Sequence, residues 1–145
     1  MDKAQRTLIR SRVSTLHGDK FRPEFKRFIG WHRDETIFEN LRINIPVVTS
    51  SNYLFQIVRE KPVHLPTGYG YSWDTNIPHR VFSDHWRNDI RIHIVLGFSP
   101  WFDYLPKEGA WIKNEFFGRL HPFDMLAEGH IFPDVKVRNN IAIYP

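Results

Sequence analysis

From Phe25 to Phe98 the chain is cut into short runs of β-forming residues, with almost no helix-like segment between them. The runs are 25–32, 41–49, 53–59, 62–65, 69–73, 78–83 and 90–98. Polar and apolar residues alternate in Arg42-Ile43-Asn44-Ile45 and in Arg91-Ile92-His93-Ile94, the period-two pattern of a strand with two unlike faces. Thr49-Ser50-Ser51-Asn52 and Pro66-Thr67-Gly68 supply turn residues. Many short strands joined by turns predict an antiparallel sandwich or barrel, with a jelly roll as the expected topology.

The two ends read differently. Leu8, Ile9, Val13 and Leu16 fall on one side of a helical projection with Arg and Lys opposite, so residues 2–16 predict a short N-terminal helix broken at His17-Gly18-Asp19. Residues 121–128 predict a second short helix ended by Gly129, and 131–145 is expected to be irregular or to lie along an edge. A chain of 145 residues is expected to form one domain, here with its core at about 25–104. Aromatics at 15% suit a sheet-based core filled by large side chains.

Composition narrows the chemistry. With no cysteine, disulfides and thiolate metal sites are excluded, which leaves imidazole and carboxylate as first ligands for any metal. No apolar run approaches 18 residues, and the first 16 residues lack the apolar stretch of a signal peptide, so a soluble, cytoplasmic protein is expected. Charge is uneven: nine Lys/Arg against three acids in residues 1–33 put +6 there, within a total of +4. That basic third is either a solvated face or a contact for nucleic acid or an acidic partner.

Against this background His32-Arg33-Asp34, followed by His79 and then Arg91, carries the chemistry. Two imidazoles and one carboxylate can bind Fe(II) on one face and leave three coordination positions open. His32 and Asp34, two apart on an extended chain, point to the same side. His79 is then expected from a different strand across the barrel. The cation downstream suits a dicarboxylate cosubstrate. His-x-Asp also occurs at His17-Gly18-Asp19, and His121 and Asp124 have helical i, i+3 spacing, but neither is followed by a comparable second half. His64, His85, His121 and His130 are expected at the surface or in hydrogen bonds, and His93, on the side of Arg91, to line the pocket. Trp31, Tyr53, Phe55 and Trp73 flank the site as pocket walls or as ordinary core.

The ordered segments GWHRDE, LRINIPVVTSSN, PTGYGYSWDTNIPHRVFSD and DIRIHIVLGFSPW resemble the aspartyl/asparaginyl β-hydroxylase family, with its bacterial proline-hydroxylase relatives, over roughly residues 28–104. The resemblance implies a double-stranded β-helix and an Fe(II)/2-oxoglutarate-dependent dioxygenase that uses O₂ and hydroxylates an amino acid or a side chain in a polypeptide. It also implies His32, Asp34 and His79 as iron ligands and Arg91 as partner of the distal carboxylate of 2-oxoglutarate. Arg42 and Asn44 would lie near the end that chelates iron. Asn44 departs from the family's usual His. The gap of 12 from His79 to Arg91 makes Arg87 the second candidate for the cosubstrate cation. Retention of Asp34 favours hydroxylation over halogenation.

Two other readings fit the same residues. One is a catalytically silent jelly roll that binds nucleic acid or an acidic partner through its basic N-terminal third and aromatics, which neutralising Arg6, Arg10 and Arg12 would weaken. The other is a cupin-like metal enzyme without 2-oxoglutarate, which would ordinarily need a third well-placed His.

Overall fold

The computed structural model describes residues 8–18, 26–83 and 88–145. Among them the chain is mainly β, in the order β1 (Leu8–His17), β2 (Ile29–His32), β3 (Leu41–Val48), β4 (Tyr53–Ile57), β5 (Gly70–Ser72), β6 (His79–Ser83), β7 (Ile90–Phe98), β8 (Phe102–Leu105), β9 (Ala110–Lys113), α1 (Pro122–Ala127), β10 (Lys136–Arg138) and β11 (Ile141–Tyr144). A six-stranded sheet has the order β1-β7-β3-β5-β11-β10, a three-stranded sheet the order β2-β6-β4, and β8 pairs with β9. Every pairing is antiparallel.

Alternation on the central strands divides the interior in two. Leu41 and Ile43 of β3 pack with Ala142 and Tyr144 of β11, with Leu126 of α1 and with Ile37 from the loop before β3, on one side of the large sheet. The other side faces the small sheet. Tyr53, Phe55 and Ile57 of β4 and Val81 of β6 meet Leu16, Tyr71, Trp73 and Ile141 there. Arg42 pairs with Gly97, Asn44 with Val95 and Pro46 with His93. Directly opposed residues share a face, so the buried polar side chains Arg42, Asn44, Arg91 and His93 stand together on the inner side of the large sheet.

The expected N-terminal helix is overturned where it can be seen. Residues 8–17 are strand β1, paired with β7 from Leu8↔Phe98 to His17↔Ile90; residues 2–7 lie outside the described part. β-Branched Val13 and Thr15 resist the helix, and Ser11 and Ser14 compete with its hydrogen bonds, while β7 offers a full ladder. The apolar stripe that suggested a helix is not buried: Val13 is 66% exposed, and only Leu16 of the four enters the core.

The C-terminal segment also departs from expectation. Instead of being irregular, it forms the β10–β11 hairpin, and its β10 does lie at the sheet edge. Buried core residues therefore come from outside 25–104 as well, including Leu16, Met125, Leu126 and Tyr144. Residues 62–65 form no strand beyond a single bridge from Val63 to Phe55. The short helix before Gly129 is found, capped by His121, whose Nδ1 accepts from Phe123 N–H at 3.2 Å. No helix among the described residues is long and apolar enough to cross a membrane.

Candidate metal centre

His32 closes β2, His79 opens β6, and the two are direct partners in the small-sheet register. Opposed residues on neighbouring antiparallel strands project to one face, which brings the rings to 4.4 Å between centroids. His79 thus reaches the site from the adjacent strand, not from across a barrel as expected. Adjacency is the shorter route to the same convergence.

Asp34 lies just past β2, in a loop held by one residue. Its N–H donates to the Thr75 carbonyl at 3.0 Å, and the Thr75 hydroxyl donates to the Glu35 carbonyl at 3.1 Å. Thr75 is buried. This clamp places Asp34 Oδ2 3.3 Å from His79 Nε2 and 3.8 Å from His32 Nε2. One ligand atom from each of the three residues lies within 4.8 Å of the others.

Hydrogen bonds at the far side of each ring set its tautomer. His32 Nδ1 is 2.7 Å from the Gly30 carbonyl, and His79 Nδ1 is 2.9 Å from the Ile77 carbonyl. A carbonyl can only accept, so each Nδ1 carries a hydrogen, and the tautomer this selects for a neutral ring has its Nε2 lone pair turned inward. Two lone pairs and a carboxylate oxygen then converge without a donor among them. A proton or a metal cation must separate them, and backbone carbonyls that orient ligating imidazoles in this way are the usual support of a metal site. The residues present fit a divalent cation.

Behind the carboxylate sits a charged network. Arg42 donates to Asp34 Oδ2 at 2.7 Å and to Glu35 Oε2 at 3.1 Å, while Glu35 Oε1 accepts from Arg10 at 2.8 Å and Asn40 at 2.5 Å. Burial raises the Asp34 carboxyl, but a hydrogen bond from His79 when its Nε2 holds a proton, the Arg42 guanidinium, and the charges of His79 and His32 in that protonated state outweigh it and bring it to about 2. Asp34 is therefore ionised at any ordinary pH, as a metal ligand must be.

A second cluster lies deeper. Arg91 is 5% exposed and donates to His93 Nδ1 at 3.0 Å; among the described residues no carboxylate pairs with it. Burial lowers the guanidinium to about 10, so it stays charged at neutral pH. Because His93 Nδ1 accepts, its hydrogen is on Nε2, and among the described residues that buried N–H has no partner, nor does the indole N–H of Trp73. Burial, the Arg91 charge and His64 hold His93 neutral, at about 3. Tyr53, Phe55 and Val81 line the cavity beside Arg91 and His93. Val81 is two residues beyond His79 on the same face of β6, roughly 7 Å along the strand. Phe55 also contacts the His79 ring, at 6.1 Å between centroids. The cavity measures only about 10 Å³, the room of one water, so a larger ligand enters only if its walls move.

Other sequence candidates are dispersed. Asn44 is buried on the face of Arg42. Arg87 and His85, and Arg6 of the basic segment, lie outside the described residues. Arg10 is tied to Glu35, and His121 approaches Asp74 at 3.6 Å instead of pairing with Asp124. His64 Nδ1 bonds the Tyr53 carbonyl, and His130 pairs with Glu128. Trp31 does not wall the site; it is 47% exposed, with the Arg80 guanidinium 4.7 Å over its ring. Thr75, Glu35 and Asn40 were not singled out from the sequence, although Thr75 lies in the Trp73-Asp74-Thr75 string and the other two flank the His-x-Asp segment. The sequence matches no protein-family model and no curated protein.

Proposed function

We propose that this protein is an Fe(II)/2-oxoglutarate-dependent hydroxylase on a double-stranded β-helix, with His32, Asp34 and His79 as ligands. The observation that carries this reading is the convergence of two tautomer-fixed imidazole lone pairs on an ionised carboxylate. The unneutralised Arg91 inside the same sandwich supports it. In the reaction, 2-oxoglutarate, O₂ and a substrate C–H bond give succinate, CO₂ and an alcohol; one oxygen atom goes to succinate and one to the alcohol. Bound iron would supply the O₂ chemistry.

The chain's own residues do the positioning. His32 and His79, held through Nδ1, present their Nε2 atoms; Thr75 and Arg42 fix Asp34. Arg91 offers a guanidinium that can take both oxygens of a carboxylate, and the N–H groups of His93 and Trp73 are further donors on the inner side. Phe55 and Trp73 exclude water between the two clusters. The substrate class is a free amino acid or an amino-acid side chain in a polypeptide.

The test is an anaerobic titration with Fe(II) and then 2-oxoglutarate, following the visible charge-transfer absorption of the chelate. Wild type should develop the band. His79→Ala should lose it together with metal affinity, by more than about 100-fold. Arg91→Ala should keep the metal and weaken 2-oxoglutarate. Metal-loaded wild type that shows no band overturns the reading.

A further inference from the structure

A cavity of about 750 Å³ lies away from the triad, between the β10–β11 hairpin and the 63–69 segment. That size is typical of small-molecule sites. None of its lining residues is His32, Asp34 or His79, and none is an acid. Apolar side chains such as Leu65, Tyr69 and Ile143 form its walls, and Lys136 and Arg138 stand at β10. Neither cation has a carboxylate partner among the described residues. The nearby Glu60 is held instead by Asn140 at 2.9 Å.

The walls are held in shape. Asn139 and Asn140 both adopt positive φ, 50° and 61°, which makes the hairpin a tight two-residue turn of the kind that matches strand twist. On the other side, the Tyr71 hydroxyl donates to the Pro66 carbonyl at 3.0 Å and Val63 bridges to Phe55. A preformed apolar pocket with two unpaired cations and no anion complements one chemistry: an apolar body carrying a negative head.

We propose that this cavity is a binding site for a small carboxylate with an aromatic or short aliphatic body, its head group met by Lys136 and Arg138. The site is separate from the metal centre, although Leu65 is common to its wall and to the cavity of Arg91 and His93. It does not depend on the oxygenase reading.

The probe is 4-(trifluoromethyl)phenylacetate, followed by ¹⁹F resonance, with its uncharged primary amide as control. Saturable binding is expected at about 1 mM or tighter for a ligand of this size, with methyl shifts at Ile141, Ile143 and Val137. The amide should bind at least several-fold more weakly. The double variant Lys136→Gln, Arg138→Gln, both positions exposed and able to change without loss of the fold, should weaken the carboxylate about tenfold. His32→Ala should leave the titration unchanged. The proposal is overturned by no binding, by equal binding of acid and amide, or by indifference to the double variant. Loss of binding in His32→Ala would place the probe at the triad and also overturn it.

Discussion

At the mouth of the small sheet three acceptors meet, His32 Nε2, Asp34 Oδ2 and His79 Nε2, whereas on the inner face of the large sheet Arg91 and His93 gather donors. The first cluster has one cation, Arg42, on the Asp34 carboxylate and none between the three acceptors, and the second has no anion among the described residues. They are built differently too. His32 and Asp34 are partly open to solvent while His79 is buried, and both rings are held by backbone carbonyls, so an ion can reach the acceptors from the His32 and Asp34 side without repacking. The donors sit behind Phe55, Val81 and Leu65 in a cavity of about 10 Å³, so filling that site requires the core to shift. An imbalance at a rim costs little because water compensates it; the same imbalance in a core must be offset by packing or by a ligand.

The strongest way to probe this contrast is acid. His93 titrates near 6.5 when unfolded and at about 3 in the fold. A base depressed by folding contributes stability that is complete above pH 6.5 and lost as pH falls toward 3. Denaturant unfolding at pH 7 and pH 4 should therefore differ by about 3 kcal/mol from this group. His93→Gln should remove most of that difference, and an unchanged slope in the variant would place the acid sensitivity elsewhere.

Metal should produce the next largest effect. A divalent cation at about 100 times its Kd should stabilise the wild type by about 2.7 kcal/mol. That corresponds to a rise in Tm of several degrees for a chain of this size. A chelator should reverse it, and His79→Ala should show no rise. Equal stabilisation of both proteins would mean that the cation binds outside the acceptor cluster.

Arg91→Met tests the donor side without any ligand. Replacing an unpaired buried cation by an apolar side chain of similar length should stabilise the protein by about 1–2 kcal/mol. Destabilisation would show that the guanidinium is already compensated. The smallest effect belongs to Arg10→Gln. Its pair with Glu35 is exposed, 58% on the Arg side, and its loss should cost less than about 0.5 kcal/mol in the same unfolding experiment.

Much of the β framework was readable in the sequence, because strand alternation is local. The runs at 41–49, 53–59, 78–83 and 90–98 correspond to β3, β4, β6 and β7 within a few residues. The grouping of His32, Asp34 and His79 was anticipated too, from the His-x-Asp spacing together with the segments around it that resemble a known family, because the spacing recurs elsewhere in the chain. β1 was not. Its four apolar residues satisfy a helical stripe on paper, and only the open edge of β7, remote in sequence, makes the strand win. The β10–β11 hairpin was missed for the same reason: Ala142 and Tyr144 become core residues only against β5, Leu126 and Ile37.

The sequence by itself determined a mainly β chain and imidazole and carboxylate as its metal-capable residues, and it marked His32, Asp34 and His79 as one candidate grouping among several. Only the tertiary structure decided that His32 and His79 are cross-strand neighbours, that Thr75 and Arg42 hold Asp34, and that Arg91 is buried without a counter-ion among the described residues. Alternation and ligand type are properties of neighbouring residues. Strand partners, tautomers and the absence of a counter-charge depend on which distant segments fold against one another.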